Sequence, residues 1–347
     1  MHRIVRRTLV PILLLAAGVP ALAQAPQGGG GYHVARKITV GGDGFWDYLT
    51  WDGVRHRLFL SHGTRVEVID PGSGKVVGRI EDTPGVHGIA LAQDLGRGFV
   101  SNGRDSSVTI FDLATLAPAG RVPVNGRNPD AILYDSVSHR VFTFNGGSAG
   151  TTALDARTGR IVGSLALGGK PEFAVADGRG GIFVNIEDRG EIVAFDARTL
   201  AIRARWPMAG CEEPSGLALD RAHGRLFSVC GNARMAVVDA ATGRLVATLP
   251  IGQGVDGVAF DATTQLAFAS NGEGTVTVVR EETPDSFRVV ATVPTQRGAR
   301  TVTLDPETHR VFTPTAEYGP PPAPTPERPR PRPSIVSGSF MVLILDR

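Results

Sequence analysis

Seven polar residues that could bind ions or move protons recur along the 347-residue chain at intervals of 40 to 44 positions. Each lies at or shortly before an apolar run that ends in aspartate, as His87 does in GVHGIALAQD (85–94). The seven are Asp47, His87, Asp130, Glu172, Ser215, Asp256 and Arg300. If the fold brings them together, four carboxylates and one imidazole would form a cluster that attracts cations. Such crowding would raise the pKa of some carboxyl groups and favour protonation of His87.

Most of the other histidines fall in turn sequences. Three or four residues after the aspartate of an apolar run, in segments such as VSHR, lie His56, His139, His223 and His309. We expect these four to serve in turns. His62 instead follows the next apolar run, where three other repeats have asparagine, and is a further candidate for ligand binding. We expect the asparagines there to cap turns.

Cys211 and Cys230 are the only two cysteines of the chain. In an oxidising compartment such a pair predicts a disulfide. A reactive thiol or a metal ligand is the alternative. Cys211 precedes one apolar run and Cys230 ends the next, so antiparallel pairing of the two runs would bring both cysteines to the same rim, as a disulfide requires.

The elements that would position these residues are short β-strands. The apolar runs end, 41 to 44 positions apart, at Asp52, Asp94, Asp135, Asp177, Asp220, Asp261 and Asp305. Three more strand-like segments follow each of the first six runs, separated by turn sequences such as RTG and NG. Four strands in 40–45 residues is the period of a β-propeller blade. The sequence therefore predicts an all-β, seven-bladed β-propeller of four-stranded antiparallel blades, with the seven polar residues around the mouth of its central channel.

Both ends of the chain favour a closed ring. The seventh unit stops at its third strand, and an unassigned strand (32–40) precedes the first unit, so the domain is expected to span 32–347. We expect this N-terminal strand to complete the last blade as its outer strand, which removes an exposed sheet edge. A Pro-rich insertion (319–337) in the last blade carries Arg328, Arg330 and Arg332. Its prolines favour polyproline II, and it would be a stiff solvated loop, a lid on the channel or a docking arm for an acidic partner.

The segment RGFVSNGRDSSVTIFDLATLAPAGRVPVNGRNPDAILYD (97–135) resembles the YVTN-repeat β-propeller family, found among YncE-like secreted bacterial proteins. The resemblance covers essentially all of 32–347 and implies the propeller fold. It implies no particular ligand, because the motif describes strands and turns. One departure from the pattern is Arg280, which stands where the third strand of the other units ends in aspartate.

The N-terminus has the pattern of a secretory signal. Arg3, Arg6 and Arg7 precede a short apolar core and a small-residue cleavage pattern, which predicts a signal peptide over 1–23 and export to a bacterial periplasm, or secretion. A Gly-rich linker (24–31) follows. Cleavage would leave 33 basic and 34 acidic residues, a balance that disfavours nucleic-acid binding. We expect a monomer with no membrane span after cleavage.

The sequence contains no P-loop, H-E-x-x-H or C-x-x-C-H motif. We therefore favour a non-catalytic protein that binds a small ligand or a periplasmic protein through the seven-residue ring. The alternative is an enzyme, because propeller enzymes of the lactonase or lyase type resemble this arrangement. A divalent cation would then lie on Asp130, Glu172 and Asp256, with His87 or Glu172 moving protons. Oxygen ligands favour Ca²⁺ or Mg²⁺. A third alternative, single-stranded nucleic-acid binding, needs a basic groove with stacking aromatics, which the sequence disfavours.

Overall fold

The computed structural model describes residues 31–323, 325 and 333–347. The predicted signal peptide (1–23) lies outside the described residues, as does the linker (24–31) except for Gly31. The described chain forms seven four-stranded antiparallel sheets, and the prediction of a seven-bladed all-β propeller is confirmed. Within these ranges, no helix has the length and apolar character needed to cross a membrane.

Strand β1 (His33–Thr39) stands apart from the first blade in sequence. Blade 1 then comprises β2 (Leu49–Asp52), β3 (Arg57–His62), β4 (Arg65–Asp70) and β5 (Lys75–Ile80). Blade 2 comprises β6 (Val86–Ala92), β7 (Arg97–Asn102), β8 (Ser107–Asp112) and β9 (Pro118–Pro123). Blade 3 comprises β10 (Pro129–Asp135), β11 (Arg140–Asn145), β12 (Gly150–Asp155) and β13 (Ile161–Ala166). Blade 4 comprises β14 (Pro171–Ala176), β15 (Gly181–Ile186), β16 (Glu191–Asp196) and β17 (Ile202–Pro207).

The remaining blades follow the same order. Blade 5 comprises β18 (Pro214–Asp220), β19 (Arg225–Cys230), β20 (Arg234–Asp239) and β21 (Leu245–Pro250). Blade 6 comprises β22 (Val255–Asp261), β23 (Leu266–Asn271), β24 (Thr275–Thr283) and β25 (Ser286–Pro294). Blade 7 comprises β26 (Thr303–Leu304), β27 (Val311–Thr315), β28 (Met341–Asp346) and, as its outer strand, β1. Three short 3₁₀ turns cover Gln93–Leu95, Gly146–Ser148 and Glu187–Arg189.

The aspartates that end the apolar runs cap the turns on the face opposite the channel mouth. Asp220 Oδ1 accepts a hydrogen bond from the Ala222 amide at 2.9 Å, and Asp261 Oδ1 accepts one from the Thr263 amide at 3.0 Å. This side-chain-to-backbone bond is a local alternative to a strand ladder, so it ends the strand. His56, His139 and His309 occupy the left-handed region at these turns, with φ of 50, 51 and 61°. Their spacing in the sequence therefore reflects turn structure.

The core lies between the blades. A phenylalanine near the start of each second strand is buried there, and none is more than 7 % exposed: Phe59, Phe99, Phe142, Phe183, Phe227, Phe268 and Phe312. Seven apolar clusters, each shared by two neighbouring blades, surround these rings. Burial of one phenylalanine contributes about 1.5–3 kcal/mol. The repeat thus places one buried phenylalanine at the equivalent position of every blade.

The N-terminal strand closes the ring. β1 pairs antiparallel with β28, from His33 opposite Asp346 to Thr39 opposite Met341. Ile38 is 3 % exposed and packs in the cluster between blades 7 and 1. Both ends of the chain therefore lie in one sheet, as the incomplete seventh unit predicted.

The two ends of the Pro-rich insertion contact each other. Tyr318 forms an antiparallel bridge with Ile335, and the Gly319 amide donates to the Ser334 carbonyl at 2.8 Å. The insertion connects β27 to β28, on the channel-mouth face. Its three arginines, Arg328, Arg330 and Arg332, lie outside the described residues.

Candidate ligand-binding site at the channel mouth

A β-bulge places the ring residue in each of blades 2 to 6. The first residue of the inner strand pairs with the last residue of the second strand, as Val86 does with Asn102 and Pro129 with Asn145. The register shifts directly afterwards, where one extra residue on the inner strand leaves the ladder. This second position holds His87, Asp130, Glu172, Ser215 and Asp256. Asp47 and Arg300 lie in the segments that lead into β2 and β26.

His87, in blade 2, joins the carboxylates of the two neighbouring blades. Its Nδ1 lies 2.7 Å from Asp47 Oδ2, in blade 1, and 3.5 Å from Asp130 Oδ1, in blade 3. The three side chains are partly exposed, at 27 % for His87, 19 % for Asp47 and 16 % for Asp130. The imidazole is therefore held between two acids at the solvent-exposed mouth of the channel.

Arg300, in blade 7, likewise joins the carboxylates of its two neighbouring blades, 6 and 1. Its Nε donates to Asp256 Oδ2 at 2.7 Å, and its Nη2 lies 3.5 Å from Asp47 Oδ1. The Thr301 hydroxyl donates to the Asp47 carbonyl at 2.5 Å. These contacts tie blades 6, 7 and 1 together at the mouth.

Lys170 is part of the site although the sequence analysis did not select it. Its Nζ lies 2.6 Å from Glu172 Oε1 and also contacts the Glu187 carboxylate. The signal that could have found it is its place two residues before a ring position, in GGKPEF. Ser215 takes no part in this ion network: its hydroxyl contacts the Val255 carbonyl at 3.5 Å.

The charges at the mouth shift the protonation of the ring. Burial lowers the pKa of His87, but its hydrogen bond to Asp47 and the charge of Asp130 outweigh burial and raise the pKa to about 9. Burial, together with the charge of Asp47, raises the pKa of Asp130 to about 7. Burial and the charge of Asp130 raise the pKa of Glu172 to about 8, although Lys170 opposes this. Burial also raises the pKa of Asp256, although Arg300 opposes it. At neutral pH His87 is therefore a cation.

The metal-ligand group at the mouth differs from the predicted one. The ligand atoms of Asp47, His87 and Asp130 lie within 4.8 Å of one another, so only Asp130 is shared with the predicted set of Asp130, Glu172 and Asp256. Glu172 and Asp256 are instead paired with Lys170 and Arg300. Across the described ranges, one other such group occurs, formed by Asp220, His223 and Glu281 on the opposite face.

Two further sequence candidates lie away from the channel cavity. His62 is fully buried: its Nδ1 lies 3.3 Å from Glu67 Oε1, and its ring packs 4.4 Å from that of Phe340. Cys211 and Cys230 form a disulfide with a Cα–Cα distance of 5.3 Å at the rim of blade 5. Neither feature belongs to the ion network of the ring.

Two neighbouring cavities open beside the ring. One, of about 580 Å³, is lined in part by His87 and Arg104, and the other, of about 800 Å³, in part by Arg297. Both share Phe45, Trp46 and Arg300, and the Phe45 side chain is 76 % exposed between them. We call these two cavities the mouth groove. A third cavity, of about 700 Å³ at the opposite end of the channel, contains none of the seven ring residues.

The sequence analysis missed the mouth groove. Phe45, Arg104 and Arg297 do not occupy a repeated position, so the 42-residue period gives no signal for them. A large apolar residue in the Gly-rich segment GGDGFWD is the one local clue to Phe45.

The fold and the site define the class: a seven-bladed β-propeller with a charged, internally paired channel mouth. No protein-family model and no curated protein sequence matches the chain. Among solved structures, U3-55K is 10 % identical with a TM-score of 0.74, covering 90 % of this chain and 99 % of that one. The RRP9 WD40 repeats are 11 % identical with a TM-score of 0.75, covering 93 % and 99 %. A chain of the mitotic checkpoint complex is 13 % identical with a TM-score of 0.70, covering 89 % and 95 %. These similarities establish the propeller fold, and membership of the YVTN-repeat family stays a prediction.

Proposed function

We propose that this protein is an exported, non-catalytic propeller that binds an acidic segment of a partner protein in the mouth groove. The N-terminal signal pattern supports export, and so does the Cys211–Cys230 disulfide, since disulfides persist in oxidising compartments. The localisation is the periplasm or the medium, and the mature chain begins near residue 24 with the linker that precedes the domain.

The observation that carries the proposal is the exposure of Phe45 between two cavities. Phe45 is 76 % exposed, and a partner that covered its ring would remove apolar surface from water. Buried aromatic anchors that fill or flank pockets are typical of binding hot spots. The two cavities give an apolar side chain of a partner room on either side of this ring.

The charge of the partner follows from two arginines. Arg104 and Arg297 are exposed, line the groove, and form no ion pair with any acid of the described chain. Arg297 lies over the Tyr318 ring, at 5.6 Å from the centroid, which orients its guanidinium. Guanidinium groups bind carboxylates in a bidentate manner. An acidic segment with an apolar side chain is therefore the complementary ligand.

A non-catalytic role is favoured because the ring acids already have cationic partners. His87 contacts Asp47 and Asp130, Arg300 contacts Asp256, and Lys170 contacts Glu172. The fold of the neighbours is compatible with partner binding, since one of them is a chain of the mitotic checkpoint complex.

Site-specific photo-crosslinking tests this proposal. A photoreactive phenylalanine analogue replaces Phe45 in the exported protein, and, as a matched control, Val54, which is 66 % exposed on the opposite face. We expect a discrete crosslinked partner from position 45 and none from position 54. In the Arg104→Glu/Arg297→Glu double variant the crosslink should fall at least tenfold, and an acidic peptide should compete whereas a basic one should not. Equal labelling from both positions, or no effect of charge reversal, would count against the mouth groove.

A metal-dependent lactonase or lyase is the second candidate, because the ligand atoms of Asp47, His87 and Asp130 lie within 4.8 Å of one another. In that case the two carboxylates and the imidazole would hold a divalent cation that polarises the substrate carbonyl. Calorimetric titration with Ca²⁺ and Mg²⁺ separates the two functions. Binding that is lost in Asp47→Asn/Asp130→Asn, together with cation-dependent lactone hydrolysis, would support the enzyme and contradict the non-catalytic proposal.

A further inference from the structure

Blade 6 departs from the repeat on the face opposite the mouth. In blades 2 to 6, one residue directly follows the position where the repeat ends the third strand. Its backbone amide donates a hydrogen bond to a carbonyl in the turn between the first and second strands. The five residues are Leu113, Ala156, Ala197, Ala240 and Glu281. Leu113, Ala156 and Ala197 are fully buried. Blade 6 therefore places a carboxylate where the equivalent positions are apolar, next to the Arg280 that the sequence analysis noted.

The Glu281 carboxylate is buried, and a histidine nitrogen is its one nearby polar partner. Its side chain is 1 % exposed, and neither carboxylate oxygen accepts a hydrogen bond from a backbone amide, a lysine or an arginine of the described chain. A buried charge that is neither hydrogen-bonded nor metal-bound is strongly unfavourable, so such groups need a compensating partner. The sequence could instead have used alanine here, as in blades 3 to 5.

Glu281 points at a histidine and a second buried acid from blade 5. His223 Nδ1 lies 2.8 Å from Glu281 Oε1 and 2.7 Å from Asp220 Oδ2. The Asp220 side chain is fully buried, whereas His223 is 39 % exposed. Nδ1 carries at most one proton, so it cannot donate to both carboxylates. A cation at the centre of the three atoms would contact all of them.

The position of His223 differs from that of the other turn histidines. In blades 1, 3 and 7 the histidine itself has the left-handed φ of the turn, whereas in blade 5 Gly224 does, with φ of 64°. His223 therefore stands one residue earlier in its turn. This shift brings its ring to Glu281 of the next blade.

The nearby cations are already paired with other acids. Arg225 Nη1 lies 2.7 Å from Asp239 Oδ2, and Arg244 Nη2 lies 3.2 Å from Asp285 Oδ1. These two ion pairs leave the charges of Asp220 and Glu281 without a guanidinium partner of their own. Two carboxylates and a neutral imidazole would balance one divalent cation.

We propose that Asp220, His223 and Glu281 bind one divalent transition-metal ion between blades 5 and 6. Two neighbouring ligand atoms that each lie about 2.1 Å from an octahedral ion are about 3 Å apart. The distances from His223 Nδ1 to Asp220 Oδ2 and to Glu281 Oε1 are close to this value. One imidazole with two carboxylates suits Zn²⁺ or Mn²⁺. Water would fill the remaining positions, on the side where His223 is exposed. The ion would link the two blades in the way that the disulfide links the strands of blade 5.

Calorimetry on the untagged mature protein, stripped of metal with EDTA, tests this site with Zn²⁺ and Mn²⁺ as probes. We expect one high-affinity ion per chain and a rise in Tm on binding. Glu281→Ala copies the residue of blades 3 to 5 and should keep the fold. It should weaken binding at least tenfold and abolish the Tm rise, since even loss of a residue behind the ligands costs 10–100-fold in affinity.

Two control variants make the outcome decisive. His309→Ala removes a turn histidine that contacts a single acid, Asp261, and should leave binding unchanged. Asp47→Asn/Asp130→Asn removes the mouth group and should also leave this ion in place. The proposal is overturned if the wild type binds no ion, if Glu281→Ala binds as tightly as the wild type, or if the mouth variant alone abolishes binding. A salt bridge without metal would show a different pattern, in which Glu281→Ala lowers the Tm and metal does not change the Tm of the wild type.

Discussion

At the scale of single residues, the channel mouth consists of acids and bases that neutralise each other across blades. Asp47 is shared by His87 and Arg300, so one carboxylate of blade 1 connects blades 2 and 7. A partly buried ion pair gains little net stability, because desolvation offsets the attraction, but the loss of one partner is costly. The ring therefore makes each charged residue dependent on its neighbours.

Protonation of His87 should be visible directly. Its pKa of about 9, against an ordinary value of 6.5, rests mainly on Asp47 and Asp130 opposing the effect of burial. A histidine-labelled sample titrated by NMR should show a midpoint near 9, which falls by at least one unit in Asp47→Asn. Asp43→Asn, a change of an exposed acid in the same segment, is the control. A wild-type midpoint near 6.5 would contradict this account.

Stability should fall as the pH rises through the same range. The folded pKa of His87 exceeds its ordinary value, so protonated His87 stabilises the fold fully below pH 6.5, and this contribution is lost as the pH approaches 9. The raised pKa values of Asp130 and Glu172 act in the same direction, because the folded state retains protons that the unfolded chain releases. Each pKa unit corresponds to 1.36 kcal/mol. The free energy of unfolding in urea should therefore fall by at least about 3 kcal/mol between pH 6 and pH 9, and Asp130→Asn should reduce the loss.

The positions of the ring residues could be predicted from their spacing, but their partners could not. The 42-residue period placed His87 and Asp130 at equivalent positions because each blade repeats one backbone path. Whether two side chains meet depends on ångström-scale geometry between residues far apart in sequence, such as Arg300 and Asp47. Lys170 and the outlying Ser215 show this limit: the first joins the ion network from outside the repeat, and the second holds a repeat position without joining it.

At the scale of elements, the strands and turns were predicted closely because the same sequence pattern recurs in each of the seven units. Turn aspartates and the phenylalanine of each second strand recur in the sequence for reasons of local structure. Seven copies of the pattern therefore settle strand assignments that a single copy would leave ambiguous. The departures carry information of a different kind. Glu281 and the displaced His223 are deviations within otherwise regular blades, and their proximity across two blades required the structure.

The disulfide of blade 5 is the element whose contribution can be measured most simply. It connects residues 19 positions apart and thus restricts the unfolded chain, which should stabilise the fold by about 3 kcal/mol. Cys211→Ala/Cys230→Ala should lower the free energy of unfolding by this amount. A reductant should destabilise the wild type similarly and have no effect on the double variant. A reductant-insensitive wild type would show that the bond contributes nothing to stability.

At the scale of the whole molecule, the propeller depends on closing its ring. Each blade packs on its two neighbours through the shared apolar clusters, so an open ring would expose two cluster surfaces at once. The pairing of β1 with β28 prevents this and also covers a sheet edge that could pair with another chain. The mouth groove lies at this same junction, since Arg300 and Trp46 come from its two sides. Closure of the ring therefore also fixes the two sides of the mouth groove.

Removal of β1 should open the ring, and a peptide should close it again. A chain that begins at Gly41 loses Tyr32 and Ile38, which are 7 % and 3 % exposed, and should lose about 3–6 kcal/mol of stability and self-associate through β28. A synthetic peptide of residues 32–40 should pair with β28, restore the Tm and return the protein to a monomer in sedimentation experiments. The same peptide with Ile38→Asp is the control and should not bind, because it would bury a charge in the cluster of Phe312 and Ile344. A truncated chain that stays monomeric with an unchanged Tm would show that closure does not depend on β1.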